Sequence, residues 1–231
     1  NMVLSIAGNI DEDKILEMCD KLLKNNGNPE LETAFEPEPD TVCQKEVVQQ
    51  LEIAVPMFNI GFKAKPETGI DALRAEIETN FVLALLANGS SDFYKKLYDE
   101  GLINSTFSTE VFSGDGYCCS IFGGESRNPR MVRDRIIEEI ERCKKDGFDR
   151  ELFEGIKKAY YGALIRNLSD AEAIATNMLN SGMEKLSAFD VIEIVADVKF
   201  EDMAKRLEKQ FNAENVTISI IEPIGSKEEQ N

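Results

Sequence analysis

The sequence predicts an α+β fold in which helices pack on one face of a mostly antiparallel sheet. Alternating residues at 106–111 and 117–122 are joined by Ser113-Gly114-Asp115-Gly116, a pattern typical of a β-hairpin. Amphipathic helical patterns lie on both sides of this hairpin, and an apolar strand at 215–222 follows them. The resulting order is strand, helix, hairpin, several helices and strand, which gathers the helices into one layer.

The chain opens with a strand-like run at 2–7 and a helix at 11–24. Residues 25–40 contain three prolines, a glycine and several acids, which predicts an extended linker. The first and last strands share an asparagine, a serine and an isoleucine in register, as the closing strands of duplicated domains would. We therefore interpret 1–24 as the closing strand and helix of a preceding, missing repeat, 25–42 as an acidic proline-rich linker, 43–223 as a complete domain and 224–231 as a polar tail.

The first elements of that domain are a strand and a long helix. Residues 46–62 have strand character, and Pro56 predicts an edge position or a bulge within them. Residues 68–87 form the clearest helical pattern of the chain, because apolar residues recur there every three or four positions. The members of this stripe are Leu73, Ile77, Phe81, Ala84 and Leu85.

Residues 87–107 predict a helix end, a short second helix and the entry to a strand. Asn88 with the following glycine favours a left-handed helix end, and Ser90 or Ser91 offers a cap to the next helix. Leu97 lies on the apolar face of that helix, and Gly101 ends it.

Five more helices are predicted between the hairpin and the last strand. The first begins at Asn128-Pro129 and ends at Gly147, and the second begins at Asp149. Ser169 with Glu172 predicts a capping box, Ser187 another helix start, and 200–211 the last helix. The predicted inward residues of the first two are Val132, Ile136, Ile140, Cys143, Leu152, Ile156, Tyr160 and Ala163.

The composition excludes several classes of function. With 26 basic and 43 acidic residues the net charge is −17, which repels nucleic acid and anionic lipid. The longest apolar run, 81–87, is far shorter than the roughly 18 residues that a membrane span needs. The chain has no histidine, so it lacks the commonest zinc ligand and any imidazole-dependent catalytic triad. Its five cysteines favour free thiols in a reducing compartment, which predicts a cytoplasmic protein.

Four segments taken together resemble the second half of the pitrilysin/insulinase family of zinc peptidases, in its bacterial processing-peptidase-like branch. They are NMVLSIAGNID at 1–11, IGFKA at 60–64, GSSDFYKKLYDEGLINS at 89–105 and NVTISIIEP at 215–223. Members of the family commonly carry a run like GSSRLYKELREEKGLAYS, against which residues 89–105 read with one deletion. The resemblance covers nearly the whole chain.

The resemblance implies that zinc lies in a missing N-terminal half, which carries the inverted zinc motif of an inverzincin. This chain would hold no cofactor and would be non-catalytic by itself. Its expected role is to close a chamber around a peptide substrate and contribute binding contacts to the zinc-bearing half of the same protein. The alternative is a non-catalytic subunit or scaffold that binds a peptide or a catalytic partner, and a homo- or heterodimer with a sister subunit fits either role.

The same resemblance indicates two candidate substrate-binding residues. Many relatives grip the substrate backbone with an arginine and a tyrosine in the run at 89–105, and the aligned positions here hold Tyr98 and Asn104. The alternative interpretation is structural: Tyr98 covers the end of a helix and Asn104 shapes the turn into the next strand.

Overall fold

The computed structural model describes residues 3–23 and 36–225 of the 231-residue chain. Its α-helices are α1 (Glu12–Leu22), α2 (Gly69–Ala87), α3 (Asp92–Asp99), α4 (Pro129–Asp146), α5 (Arg150–Asn167), α6 (Ala171–Met183), α7 (Asp190–Asp197) and α8 (Phe200–Gln210). Its strands are β1 (Glu46–Leu51), β2 (Met57–Ala64), β3 (Ser108–Gly114), β4 (Tyr117–Glu125) and β5 (Val216–Pro223). The predicted α+β class is confirmed.

The five strands form one sheet in the order β1-β5-β2-β4-β3. The β1–β5 pair is parallel, whereas β5–β2, β2–β4 and β4–β3 are antiparallel, as the mostly antiparallel prediction requires. The central strand β2 pairs on both sides, so that Ile60 lies opposite Phe122 of β4 and Ile218 of β5. The chain-terminal strand of the domain thus lies inside the sheet.

The two faces of the sheet differ sharply in burial. One face presents Ile60, Phe122 and Ile218, each fully buried, to the layer that contains α2, α4 and α8. The opposite face, which we call the open face, carries the alternate residues of each strand, and no helical layer of residues 36–225 covers it. On β2, β3 and β4 the open face consists of Met57, Asn59, Gly61, Lys63, Ser108, Glu110, Phe112, Tyr117, Cys119, Ile121, Gly123 and Glu125.

Aromatic rings join the sheet to the helical layer. The ring of Phe62 lies 5.9 Å from that of Phe122 and 5.3 Å from that of Phe211, both nearly edge-on. Burial of each ring contributes roughly 1.5–3 kcal/mol, and edge-to-face pairing adds specificity of orientation. This cluster fixes the sheet against α8, and the open face is thereby held rigid from behind.

The hairpin and the helix that follows it were predicted correctly. A two-residue turn at Asp115-Gly116 joins β3 to β4, and Gly116 takes the positive φ of 86° that this turn requires. Asn128 caps α4 through a 3.1 Å bond from the Met131 amide, with Pro129 as its first residue. The predicted inward residues Val132, Ile136, Ile140 and Cys143 are all buried.

Three strand predictions need correction. Residues 46–62 form two strands separated by a bend at 52–56, because β1 pairs only with β5 and β2 lies one strand farther in. The strand predicted at 117–122 continues through Gly123 and Gly124 to Glu125, because β2 supplies partners up to Met57. Residues 3–7 form no strand, and Val3, Leu4 and Ile6 are exposed, since no strand within the described residues pairs with them.

Helix ends account for the remaining differences. Asn88 is extended rather than left-handed, and its Oδ1 accepts the Ser90 amide at 2.8 Å instead. Asp170, not Ser169, caps α6, and α7 begins at Asp190. The predicted stripe of α5 is correct in part: Leu152 and Ile156 pack against the core next to the buried Phe153. Tyr160 is 37% exposed, and Ala163 is exposed.

The N-terminal boundaries stay predictions. The helix at 11–24 is present as α1, capped by Asp11, and none of its side chains is buried. Most of the linker predicted at 25–42 lies outside the described residues. Its last part, 36–42, contacts the end of β2 through two ion pairs. Glu38 pairs with Lys63 at 2.8 Å, and Asp40 pairs with Lys65 just beyond β2 at 2.8 Å.

Candidate substrate-binding site

The short helix α3 fixes the first half of the candidate site. Ser91 is buried and caps the helix by accepting the Tyr94 amide at 3.1 Å. At the other end Gly101 has φ 69°, and the amides of Gly101 and Leu102 donate to the carbonyls of Tyr98 and Leu97 at 3.0 Å each. This paired bonding is a left-handed helix end, which glycine adopts without strain. Both the cap and the stop were predicted from the sequence.

Tyr98 lies on the outer side of α3. Tyr98 is 50% exposed, whereas Leu97 beside it is completely buried and anchors the helix to the core. The Tyr98 ring stacks on Tyr94 with centroids 6.1 Å apart and planes 17° apart, and Tyr94 in turn packs on Phe107 at 6.0 Å. Tyr98 therefore ends a row of three rings, and half of its surface is exposed.

Asn104 lies in the loop between α3 and β3, and its side-chain amide has both ends occupied. Its Oδ1 accepts the Thr106 amide at 2.9 Å and the Thr106 hydroxyl at 2.6 Å. Its Nδ2 donates to Oε2 of Glu125 at 2.8 Å. The Thr106 hydroxyl closes the network by accepting the Glu125 amide at 3.0 Å. Asn104 thus ties the loop to the last residue of β4.

These contacts support the structural interpretation of Asn104 that the sequence left open. Within residues 36–225 no hydrogen bond joins Tyr98 to Asn104, so the two candidates do not act as one hydrogen-bonded pair. A role in substrate binding stays a prediction for both. The residue that sequence reasoning missed is Glu125, which is 21 positions away along the chain and carries no motif of its own.

Glu125 lies at a corner of the open face. It is opposite Met57 on β2, and its nearest neighbour on the same face of β4 is Gly123. A side chain at Gly123 would collide with Asn59, whose Oδ1 lies 2.5 Å from the position of a Cβ there. The Asn59 amide therefore leans over the glycine, and an amide and a carboxylate occur side by side on this part of the face.

Behind the sheet a buried ion cluster joins α8 to α2. Arg206, 8% exposed, contacts Glu78 through Nε at 3.1 Å and Glu67 through Nη1 at 2.8 Å. Burial raises the pKa of Glu67, but hydrogen bonds from Lys209 and Arg206 outweigh this effect and leave that pKa below its usual value. A cavity of about 440 Å³ adjoins the cluster beneath the hairpin. The charged groups of the ion cluster are paired with one another, so the cluster holds α8 against α2.

The donor groups of the chain do not fit a zinc site. Histidine is absent from the sequence, and the described residues contain no group of three or more Cys, Asp or Glu side chains that could hold a metal ion. All five cysteines are free. Burial raises the pKa of Cys119 to about 11 and that of Cys143 to about 12, so both are thiols at neutral pH. Cys118 and Cys119 lie on opposite faces of β4, as predicted.

No helix in the described part of the chain combines the length and apolar character needed to cross a membrane.

Comparison with known proteins agrees with the resemblance seen in the sequence. Residues 1–160 match the family described as the peptidase M16 inactive domain. The chain is 25% identical to the uncharacterized zinc protease YmfH of Bacillus subtilis strain 168, over 96% of this chain and 53% of that protein.

Solved structures show the same fold. A putative M16-like peptidase from Alicyclobacillus acidocaldarius superposes with a TM-score of 0.85 at 22% identity, over 94% of this chain and 53% of that one. A protease from Helicobacter pylori superposes with a TM-score of 0.79 at 18% identity, over 94% and 54% of the two chains. The chain therefore spans about half the length of the relatives that it matches.

Proposed function

Because this chain belongs to the peptidase M16 family, whose inactive domain it matches, we propose that it is the substrate-binding and chamber-closing C-terminal half of a zinc-dependent metallopeptidase that cleaves peptides. In this proposal the zinc and the inverted zinc motif lie in an N-terminal half, and the chain is inactive by itself. The donor groups found here do not fit zinc, so no step of the hydrolysis is assigned to these residues.

The open face of the sheet carries the proposal. It is a broad surface of a five-stranded sheet in which exposed apolar side chains such as Met57 and Phe112 alternate with small and polar ones such as Gly61 and Ser108. A soluble protein rarely leaves an apolar sheet face uncovered unless a partner or ligand covers it. A second half facing this surface would enclose a space between them, and a peptide in that space would contact the open face.

Within this proposal the chain binds and orients the substrate. The exposed ring of Tyr98 offers a stacking surface to an apolar peptide side chain. The network of Asn104, Thr106 and Glu125 holds the corner of the face in one geometry before the peptide arrives. A site that is rigid before binding avoids the entropic cost of ordering it afterwards.

The exposed apolar N-terminal segment supports a close association with the other half. Residues 3–23 expose large apolar side chains, and no side chain of α1 is buried. We infer that this segment packs against the zinc-bearing half, in line with its interpretation as the closing part of a preceding repeat. The most exposed of its large apolar residues are Leu4, Leu16, Leu22 and Leu23.

The direct test combines the chain with the zinc-bearing half. We expect the chain alone to bind no stoichiometric zinc and to cleave no peptide, whereas the two halves together, or the full-length protein, cleave a quenched fluorescent peptide in a chelator-sensitive manner. Replacement of Tyr98 by alanine in the full-length protein should raise KM, with Lys95→Ala on the outer side of the same helix as a control. Chelator-sensitive hydrolysis by the chain alone would overturn the proposal.

A second candidate function is a non-catalytic subunit or scaffold that binds a peptide or a catalytic partner chain, including a sister subunit in a dimer. One observation favours it: the position aligned with the tyrosine of the family holds Asn104, whose amide is already bonded to Glu125 and Thr106. This candidate predicts that the full-length protein gains activity only with a zinc-bearing partner. Hydrolysis by the purified full-length protein alone would exclude it.

The free state of all five cysteines supports a reducing compartment, and we place the protein in the cytoplasm on that basis. Fractionation of cells followed by immunodetection of the full-length protein tests this placement.

A further inference from the structure

The carboxylate of Glu125 is half-buried and has no cationic partner among the described residues. Its Oε2 accepts one neutral hydrogen bond, from Asn104 at 2.8 Å. Arg127, two residues farther along, forms no ion pair with it. An ionised carboxylate has about four acceptor positions, and the described residues occupy one of those on Glu125. Partial burial of an unpaired charge is unfavourable, and a cation that binds there regains the lost energy.

The rest of the open face does not supply that cation. Lys63, which lies on the same face, is engaged by Glu38 at 2.8 Å. Glu110 on β3 adds a second carboxylate without an ion pair among residues 36–225. The described open face thus has two uncompensated negative charges, and both are accessible from the side that the helices leave uncovered.

The polar groups next to Glu125 suit an extended ligand. Gly123, two residues before it on the same face, is buried beneath the exposed Asn59, whose side-chain amide forms no hydrogen bond with the described residues. Two residues along a strand span about 7 Å. A carboxylate and an amide at this spacing match a cationic side chain and a backbone group of one bound peptide.

We propose that Glu125 is a specificity-determining residue of the open face that binds the cationic nitrogen of a peptide, with Asn104 as the residue that positions its carboxylate. The proposal rests on the proposed function, because it assumes that a peptide lies on this face. The cation is the guanidinium or ammonium of an arginine or lysine side chain, or the ammonium at the peptide N-terminus. A charge-assisted hydrogen bond of this type corresponds to a preference of roughly tenfold or more.

The test uses the full-length protein and matched peptides. One N-acetylated peptide contains a single arginine, a second replaces it by neutral citrulline of nearly the same shape, and a third contains citrulline with a free N-terminus. Hydrolysis gives KM and kcat for each peptide, and fluorescence anisotropy gives the Kd. The protein variants are wild type, Glu125→Gln, Asn104→Ala and Glu110→Gln.

Glu110→Gln is the matched control, since it removes the same charge from the same face. Glu110 pairs with Ile121, four residues from Glu125 and hence about 13 Å away along the strand. That distance exceeds the Debye length of about 8 Å at physiological salt. A general charge effect would affect both variants alike, whereas a direct contact affects Glu125→Gln alone.

We expect the wild type to favour the arginine peptide over acetylated citrulline about tenfold in KM and Kd, with similar kcat. Glu125→Gln should lose this preference, Asn104→Ala should reduce it, and Glu110→Gln should keep it. A preference for the third peptide that Glu125→Gln removes would identify the N-terminal ammonium as the ligand.

Equal affinity of the wild type for all three peptides, a preference that survives Glu125→Gln, or an equal loss in Glu110→Gln would each overturn the proposal. Binding with the expected preference but without hydrolysis would count against the proposed peptidase function and leave the role of Glu125 standing. Hydrolysis without preference would do the reverse, and neither binding nor hydrolysis would refute both.

Discussion

Replacement of Arg206 by methionine should destabilise the protein strongly, because it leaves a carboxylate buried without its main partner. Arg206 and Glu78 have side chains only 8% and 10% exposed and lie 3.0 Å apart, and Arg206 also binds Glu67 at 2.8 Å. Removal of one member of such a buried pair typically costs about 3–5 kcal/mol. Arg74 lies 3.9 Å from Glu78 and compensates in part, so we expect a loss of about 3 kcal/mol.

The double variant Arg206→Met/Glu78→Met separates the cost of an unpaired charge from the cost of lost packing. Two apolar side chains of similar volume can replace a buried ion pair with little loss. Glu67 keeps Lys209 at 2.9 Å as a partner in this variant. We therefore expect the double variant to be more stable than Arg206→Met by at least about 1 kcal/mol.

Urea unfolding followed by far-UV circular dichroism measures these differences as changes in midpoint at constant m-value. Lys95→Ala is the control: Lys95 and Asp92 pair at 3.2 Å with side chains 56% and 102% exposed, and their loss should cost under about 0.5 kcal/mol. A stability of Arg206→Met within about 1 kcal/mol of the wild type, or a double variant no more stable than the single one, would contradict the expected cost of the unpaired carboxylate.

Three further changes have definite expected results. Asn104→Ala should lower the free energy of unfolding by about 1–2 kcal/mol, since it removes the bonds to Glu125 and Thr106; an unchanged thermal midpoint would contradict this. Burial and the nearby Glu184 raise the pKa of Glu76, so its ionisation costs stability as the pH rises through that pKa. Glu76→Gln should therefore raise the thermal midpoint at pH 7 and match the wild type below about pH 4, and equal midpoints at pH 7 would count against it. Iodoacetamide at pH 8 should modify exposed Cys43 well before Cys119, whose pKa burial raises to about 11, as read by mass spectrometry; the difference should vanish in urea.

Local signals in the sequence predicted the helices and the hairpin well. Asn128-Pro129, Gly101 and the Asp115-Gly116 turn each have a conformation that few other residues adopt, so each could be assigned without knowledge of the fold. The apolar stripe of α4 was also correct, because the whole length of that helix packs on the sheet and the core. Periodicity is reliable where burial follows one face of a helix from end to end.

Strand pairing could not be predicted in the same way. β1 pairs in parallel with β5, so that Glu46 lies opposite Ile218. Most of the sequence of the domain separates these two residues. The alternation of apolar residues says which face is buried but not which strand is the neighbour. The same limit explains Glu78, a charged residue on the buried stripe of α2, whose burial depends on Arg206 from a helix more than a hundred residues later.

The local structure around the candidate residues was predicted, whereas their role in substrate binding stays a prediction. The run at 89–105 correctly indicated a helix stop, a cap and a turn into a strand. It gave no sign of Glu125, because the hydrogen bond from Asn104 forms only when the sheet brings the end of β4 next to the loop. A side chain that depends on tertiary pairing has no signature in a single sequence.

If Glu125 contacts the peptide, the presence of Tyr98 and Asn104 in place of the arginine and tyrosine of the family changes the charge of the peptide that binds. An arginine and a tyrosine, the pair that the resemblance leads one to expect, would present a cation and a hydroxyl to the peptide backbone. Here Tyr98, at the position of the arginine, brings a hydroxyl but no cation, and the Asn104 amide, at the position of the tyrosine, is bonded to Glu125. The group left unsatisfied is therefore a carboxylate, which accepts hydrogen bonds and attracts positive charge. The same scaffold then favours a peptide that brings its own cation to this corner.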